Sequence, residues 1–362
     1  MRTVGDVYRA MNELAPFDMA KKEDNVGLLI GSKDNPVSKV LLAMDATHKV
    51  IEEAIKIGAE LIVTHHPIIF NPLARIESES VVYAMIRNGI SAISAHTNLD
   101  IAGGGVNDCL AQRLGLENIR ALDISRSRPY YKVVVFVPDT HLEAVYSAMS
   151  SAGGGSIGEY SGCAFTSDGE GRFMPNDKAE PFIGKSGVLE KVKETALEMV
   201  VSPDRLGDLL TAMKRAHPYE EPAHDVFHNH AAVFEDSMGR VGDLLAPVDP
   251  DSFAQQVKKA LGVGAVKYTL GEQPISVVAV CGGSGGGYLR RAKSLGAQAL
   301  VVGETRHKEL LEANALGMTL IDAGHFCTET VVMEPLRNRL RLKLAGISID
   351  VAASNTDPTR YK

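Results

Sequence analysis

The sequence contains two copies of one alternating pattern of apolar, strand-like runs and helical segments. Residues 56–63 (KIGAELIV) match residues 294–301 (SLGAQALV), and the apolar runs that precede them, 41–44 and 277–280, match as well. The spacing between the copies drifts by a few residues along the chain, which fits one α/β unit repeated with unequal loops. Chance similarity between generic strand–helix–strand units is the alternative explanation.

Each copy alternates strands with helices. In the first copy, the spacing of apolar residues predicts strands at 40–44, 61–63 and 90–94, with helices at 49–57 and 81–87 between them. Strands that alternate with helices in this way form parallel sheets that the helices cover. We therefore expect an α/β fold of duplicated units with mainly parallel sheets.

A segment of different character separates the two copies. It repeats the order strand, Pro-Asp turn and helix, first at 132–137 and 142–149 and again at 197–201 and 206–215. Between the repeats lie β-rich, Gly-rich stretches at 160–166 and 171–174. The resulting β-α-β-β-α-β order predicts a ferredoxin-like insert.

The length of the chain agrees with this organisation, because 362 residues suffice for two or three domains. We expect the first half of an α/β domain at 1–128, the insert at 129–231 and the second half of the α/β domain at 232–362.

Composition excludes several classes of protein. With 38 basic and 45 acidic residues, the net charge is −7, which argues against non-specific binding of nucleic acid. No apolar run approaches the roughly 20 residues of a membrane span, and the first residues lack the apolar stretch of a signal peptide. The four cysteines form no CxxC motif and are typical of reduced, buried cytosolic thiols. We expect a cytoplasmic protein with neither a membrane nor a nucleic acid as partner.

Two adjacent histidines, His65 and His66, follow the strand predicted at 61–63. Ligand sites in open α/β sheets lie beyond the carboxyl ends of the strands. Adjacent side chains of a strand point to opposite faces, so the pair cannot easily share one ion unless the chain turns at Pro67. Taken alone, one buried and one exposed histidine is the simpler interpretation.

Further candidate metal ligands follow other predicted strands. His325 and Glu329 are four residues apart and share one face of a helix, and Asp100 lies at nearly the corresponding position of the first copy. Together with His65 and His66 they provide three imidazoles and two carboxylates. Such a set suits zinc, iron, manganese or cobalt without selecting among them, and a shared carboxylate is typical of two-metal hydrolases. We expect two divalent metal ions per chain.

Other polar residues beside these strands are candidates for catalysis. Glu304 corresponds to His66 through the repeat and could act as a base, although an ordinary exposed glutamate is an equal alternative. Asp45 presents the same choice. His96 and Asn98 are candidates for orienting the metal ligands, and His96 also for carrying protons.

A glycine-rich loop, 281–287, lies between a predicted strand and a helix. Its successive backbone N–H groups, at Gly283, Ser284 and Gly285 in particular, could bind an anion, although the spacing matches neither a P-loop nor GxGxxG. Binding of a phosphate and a simple tight turn remain alternatives. In the insert, His217-Pro218-Tyr219-Glu220-Glu221-Pro222 and the histidines after it are more typical of a turn with exposed histidines than of a metal site.

Several short motifs occur together and in order along almost the whole chain. The sequence resembles the Nif-three-like dinuclear-metal family, also called GTP cyclohydrolase 1 type 2 homologues. The motifs that carry the resemblance are Asp24-Asn25-Val26-Gly27-Leu28, Leu42-Ala43-Met44-Asp45-Ala46-Thr47, Thr64-His65-His66-Pro67, Ala95-His96-Thr97-Asn98-Leu99-Asp100, Gly104-Gly105-Val106-Asn107-Asp108, the loop 281–287, Asp322-Ala323-Gly324-His325, Glu329 and Thr356-Asp357-Pro358. The middle segment resembles the PII/CutA-like insert of longer members.

The resemblance implies a two-metal site, and its ligands carry over to His65, His66, Asp100, His325 and Glu329. It also implies a toroidal homohexamer whose sites face an internal cavity. Glu304 lies in Val302-Gly303-Glu304, where the family is expected to have Thr-Gly-Asp.

Two functions follow from these features. The first is a metal-dependent hydrolase of a small nucleotide-like or heterocyclic substrate, with the ions held by the five ligands, protons carried by Glu304 or His96, and a phosphate bound by the loop 281–287. The alternative is a non-enzymatic oligomer for metal storage, metal transfer or regulation.

Overall fold

The computed structural model describes residues 2–158 and 160–360 of the chain. The chain forms two compact units, which we call the main unit (Met1–Arg126 with Glu235–Lys362) and the insert unit (Ser127–Phe234). The α-helices are α1 Val4–Leu14, α2 His48–Ile57, α3 Val81–Arg87, α4 Thr97–Ile101, α5 Val106–Arg113, α6 Leu142–Ser151, α7 Leu206–Ala216, α8 Pro250–Leu261, α9 Leu289–Ser294, α10 His307–Leu316, α11 His325–Glu329 and α12 Met333–Lys343. The strands are β1 Gly27–Ile30, β2 Lys39–Ala43, β3 Leu61–Thr64, β4 Ser91–Ser94, β5 Glu117–Pro138, β6 Ala164–Phe173, β7 Glu190–Val201, β8 His224–Val248, β9 Lys267–Tyr268, β10 Ile275–Cys281, β11 Ala299–Val302, β12 Thr319–Asp322 and β13 Ser348–Val351.

The first sheet of the main unit has the strand order β1-β4-β3-β2-β13. Strands β2, β3, β4 and β13 are parallel, and β1 joins the edge antiparallel to β4. Every residue of β3 and β4 is buried, as are the last four residues of β2. Burial on both faces explains why these strands are short apolar runs without alternation.

The second half of the main unit repeats the arrangement. Strands β10, β11 and β12 are parallel neighbours, joined by α9 and α10 as β2, β3 and β4 are joined by α2 and α3. A short helix follows the last strand in each copy, α4 after β4 and α11 after β12. The α/β class with mainly parallel sheets, predicted from the sequence, is therefore confirmed.

Glycines end two of the connecting helices. Gly58 caps α2 with φ of 71° and Gly317 caps α10 with φ of 63°, a left-handed conformation that favours glycine. Among the described residues, no helix combines the length and the apolar character that a membrane span requires.

The insert unit has the element order β5-α6-β6-β7-α7-β8. Strand β7 pairs antiparallel with both β6 and β5. The two Gly-rich stretches expected at 160–166 and 171–174 instead contribute to one continuous strand, β6, because ten successive residue pairs link it to β7. The ferredoxin-like assignment of this unit stays a prediction.

The cysteines match the expectation of reduced, buried thiols in part. None of the four cysteines forms a disulfide, and Cys109 and Cys281 are buried, whereas Cys163 and Cys327 are half-buried. Burial raises the pKa of the Cys327 thiol to about 11, so this thiol stays protonated near neutral pH.

Candidate metal centre

Three chain segments of the main unit bring the expected ligands together. His65 and His66 follow β3, Asp100 lies on α4, and His325 and Glu329 begin and end α11. The carboxyl ends of parallel strands are where open α/β sheets place their ligand sites. These five side chains form overlapping groups whose nitrogen and oxygen atoms lie within 4.8 Å of one another.

Glu329 lies at the centre of this arrangement. Its Oε2 atom is 3.1 Å from Nε2 of His66, 3.1 Å from Nε2 of His325 and 3.7 Å from Nε2 of His65. Glu329 is 3% exposed, so its charge is shielded from water. One buried carboxylate oxygen thus faces three imidazole nitrogens.

Two buried polar atoms of the site have no hydrogen-bond partner among the described residues. They are Nε2 of His65 and Oδ1 of Asp100, which lie 3.6 Å apart. His65 is fully buried and Asp100 is 7% exposed. An unpaired buried donor or acceptor is costly, and two that face each other indicate a missing partner between them. The donor set therefore fits a bound cation.

The adjacent histidines reach the same site because the strand ends before them. Strand β3 stops at Thr64, whose hydroxyl donates to the carbonyl of His66 at 2.8 Å. The chain bends at His65 and His66, and the two rings lie with their centroids 5.0 Å apart. The alternating geometry of a strand, which favoured one inward and one outward histidine, does not extend to these residues.

In both His65 and His66, the ring nitrogen that faces away from Glu329, Nδ1, contacts an acceptor. Nδ1 of His65 lies 3.0 Å from the carbonyl oxygen of Ala95, and Nδ1 of His66 lies 2.7 Å from Oδ1 of Asp45. When Nδ1 carries the proton and donates it, Nε2 presents its lone pair to the centre of the site. Asp45, for which the sequence left two roles open, therefore orients His66.

The two candidate proton carriers lie beside the site in different environments. His96 donates through Nδ1 to Oδ1 of Asp24 at 2.9 Å, and its ligand atom lies within the group formed with His65 and His66. Glu304 is exposed, and its Oε2 is 3.5 Å from Nδ1 of His325. Glu304 follows β11, which ends at Val302.

The carboxylates set the protonation of the surrounding rings. Burial alone would disfavour charge on His66, but hydrogen bonds to Asp45 and Glu329 outweigh it and raise the pKa of His66 to about 10. The hydrogen bond to Glu329 raises the pKa of His325 as well. Burial opposes ionisation of Glu329, yet three imidazoles hold its pKa well below the usual range. The site thus combines an ionised carboxylate with cationic or metal-binding rings.

The glycine-rich loop packs directly against the ligands. A Cβ atom on Gly283 would lie 2.3 Å from Oε1 of Glu329, and the φ angle of Gly283 is +62°. The N–H group of Gly282 donates to Asn107, that of Gly283 to Thr328, and that of Gly285 to the carbonyl of Gly283. These N–H groups already have acceptors within the protein, which favours the tight-turn interpretation over the anion site at Gly283 and Gly285. Ser284 donates its hydroxyl to Glu304.

Three supporting residues received no role in the sequence analysis. Asp24 holds His96 and also accepts from the N–H and hydroxyl of Thr97. Asn355 accepts from the N–H of Asp45 at 3.1 Å, and Asn107 anchors the glycine loop. Asp24 and Asn107 belong to motifs that carried the family resemblance, and that was the available signal. Asn98, by contrast, donates its side-chain amide to the carbonyl of Ala15 at 2.7 Å.

The histidines of the insert are less uniform than expected. His217 is buried, with Nε2 donating to the carbonyl of Phe136 at 3.0 Å and Nδ1 accepting from the N–H of Tyr219 at 3.1 Å. The expectation of an exposed histidine is therefore wrong at this position. His228 and His230 are exposed, as expected.

A repeated α/β unit with clustered imidazoles and carboxylates at its strand ends defines the class: an α/β protein with a candidate metal centre. The chain belongs to the Duf34/NIF3 (NGG1p interacting factor 3) family, whose model matches residues 2–359. The resemblance inferred from the sequence motifs is thereby confirmed.

Relatives of similar length support the assignment. The chain is 38% identical to a GTP cyclohydrolase 1 type 2 homolog of Halalkalibacterium halodurans over 363 residues, which cover 98% of each chain. It is 36% identical to the protein of the same name from Bacillus subtilis, covering 98% of this chain and 97% of the relative. A Bacillus cereus protein related to NIF3 has a similar structure, with a TM-score of 0.69, 35% identity and 99% coverage of both chains.

Proposed function

We propose that this protein is a dinuclear-metal-dependent hydrolase of a small nucleotide-like or heterocyclic substrate. The observation that carries the proposal is that two groups of candidate ligands share one residue. His66, His325 and Glu329 form one group, and His65, Asp100 and Glu329 form the other. A carboxylate common to two ion positions is the arrangement of two-metal hydrolases.

The ligand types restrict the ions. Imidazole nitrogens and carboxylate oxygens suit zinc, iron, manganese or cobalt, and a site without thiolates does not favour soft ions such as Cu(I). Ions held by these side chains would supply Lewis acidity that polarises water and an electrophilic carbon or phosphorus centre.

We assign proton transfer and contact with the substrate to residues beside the candidate ligands. Glu304 is exposed and its Oε2 lies 3.5 Å from Nδ1 of His325, which supports the proposal that it takes a proton from water. His96 is held by Asp24 and is the second candidate for proton transfer. Ser284 is the residue of the glycine loop that we propose contacts a polar group of the substrate.

The proposed substrate class has support from the names of the relatives. Curated proteins that match almost the whole chain are called GTP cyclohydrolase 1 type 2 homologs. For a purine nucleotide, ring opening would begin with attack of water on the imidazole carbon between two nitrogens. We extend this substrate class to the present chain as part of the proposal.

The first test is elemental analysis of the purified protein. We expect about two divalent ions per chain, as in two-metal sites, and clear loss of metal in His65→Ala and Glu329→Ala. A matched control is His48→Ala at the exposed start of α2, which should leave the metal content unchanged.

The second test separates catalysis from simple metal binding. Metal-loaded protein is incubated with nucleotides, pterins and phosphoesters, and the products are resolved by chromatography. Turnover that depends on both metal and Glu304 supports the hydrolase. Reversible transfer of metal to a chelator without turnover of any compound would instead favour a storage, transfer or regulatory role.

The assembly is part of the same proposal. We propose the toroidal homohexamer that the family resemblance implies, with the metal sites facing its internal cavity. Light scattering coupled to size-exclusion chromatography tests it, and a monomeric mass would contradict it.

A further inference from the structure

The insert unit contains a second candidate site, which the proposed function does not use. One face of its sheet packs against α6 and α7 through buried apolar residues such as Val135 and Leu197. Side chains alternate between the faces of a strand, so Phe136, Glu194 and Ala196 lie on the opposite face. That face lines a cavity of about 660 Å³. The volume is in the range of small-molecule sites.

Aromatic rings form much of the cavity wall. The ring centroid of Tyr219 lies 5.9 Å from that of Phe173 and 6.3 Å from that of Phe182. Phe136 contributes a further ring, and Met174 and Pro181 add apolar surface. Tyr219 belongs to the His217–Pro222 motif, so this motif contributes to the wall of the cavity. Several rings around one space suit a flat aromatic ligand.

The charged residues of the cavity are mostly acidic. Its lining includes five carboxylates and one guanidinium, that of Arg172, which pairs with Glu170 at 2.8 Å. Glu194 differs from the others because it is only 8% exposed. The hydroxyl of Tyr219 donates to Oε1 of Glu194 at 2.8 Å, which fixes the carboxylate against the wall. A buried carboxylate beside aromatic rings favours a cationic partner and disfavours a phosphate.

We propose that this cavity binds a small aromatic cation, in which a flat ring system carries an ammonium or amidinium group. The ring packs against the aromatic wall formed by Tyr219, Phe173 and Phe182, while the cationic group donates to Glu194. The proposal excludes anionic ligands such as nucleotides from the insert. It concerns residues of the insert unit alone and is independent of the metal centre.

Tryptamine is a suitable probe, since it joins an indole ring to an ammonium group. The chain has no tryptophan, so light at the long-wavelength edge of indole absorption excites tryptamine and hardly excites the tyrosines of the protein. Titration of the full chain should raise the fluorescence anisotropy of tryptamine to saturation. Indole-3-propionate has the same ring with a carboxylate, and it should not bind. Absence of tryptamine binding, or equal binding of both compounds, would overturn the proposal.

Two variants test whether tryptamine binds in this cavity. Glu194→Gln should weaken tryptamine binding about tenfold or more, the usual effect of losing a charged hydrogen-bond partner. Ala196→Phe fills the cavity from the same strand face and should abolish binding without changing its charge. Glu143→Gln, at an exposed position of α6, makes the same charge change outside the cavity and should bind like the wild type. Wild-type affinity in a folded Ala196→Phe variant would exclude this cavity as the site.

Discussion

The side chains of Asp45 and His66 meet at 2.7 Å, between Oδ1 and Nδ1, and this contact turns the opposite ring nitrogen of His66 towards Glu329. The carboxylate follows β2 and the imidazole follows β3, so two parallel strands fix the orientation of one candidate ligand. The contact fixes which nitrogen of His66 is available to a cation.

Replacing Asp45 with asparagine should weaken metal binding without removing a ligand. An amide is a weaker acceptor than a carboxylate, so His66 loses part of its orientation and basicity. Changes of this kind cost about 10–100-fold in metal affinity. Competition with a chromogenic chelator measures the loss. Asp34→Asn, at an exposed carboxylate away from the site, is the matched control, and equal affinity in both variants would refute the orienting role.

Replacing Gly283 with alanine should displace the carboxylate that the proposed ions share. The new Cβ would lie 2.3 Å from Oε1 of Glu329, and the positive φ of Gly283 adds strain. We expect clear loss of bound metal although no ligand and no charge has changed.

Gly287→Ala is the control for this substitution. It lies in the same loop, has no positive φ and would place its Cβ in open space. Full metal content is expected there by elemental analysis. Equal metal content in both variants would show that the loop does not restrict Glu329.

Metal binding should release protons near neutral pH. The pKa of His66 is raised to about 10 by Asp45 and Glu329, and the pKa of His325 is raised by Glu329. A cation requires these rings to be neutral, so it must displace the protons they hold. Affinity for metal should therefore increase with pH up to about 10. Calorimetry in buffers of different ionisation enthalpy counts the protons, and a binding enthalpy that is identical in all buffers would contradict the prediction.

Local patterns sufficed to predict most of the main unit. Strands such as β3 are short apolar runs between helix signals, and His65, His66, Asp100, His325 and Glu329 all follow strands of the repeat. Proximity to the carboxyl edge of a parallel sheet was enough to group these residues. The periodicity of an ideal strand does not apply to His65 and His66, because the regular backbone ends at Thr64.

The supporting contacts depend on pairs that local patterns do not connect. Asn355 and Asp45 are 310 positions apart in the chain, and Asp24 and His96 are separated by 72. No helical or strand periodicity links such residues, so their roles emerge only when the chain is folded. The same holds for the insert cavity, which requires β6, β7 and the His217–Pro222 segment to meet.

The insert should be less stable in mild acid because of His217. Burial lowers the pKa of His217 below its ordinary value of 6.5, with a further contribution from the nearby His141 and His224. The ring accepts the N–H of Tyr219 at Nδ1, so a proton on that nitrogen would destroy the contact. The unfolded chain binds the proton more readily. Stability is therefore complete above pH 6.5 and decreases as the pH falls below it.

Thermal unfolding on both sides of pH 6.5, followed by circular dichroism, measures this effect. His217→Asn should lower stability by about 1–3 kcal/mol, because it leaves buried groups unpaired, and should flatten the pH dependence of the remaining stability. His228→Asn changes an exposed histidine of the same unit and should retain the slope of the wild type. An unchanged slope in His217→Asn would assign the acid sensitivity to another group. A flattened slope would identify the burial of this imidazole as its physical cause.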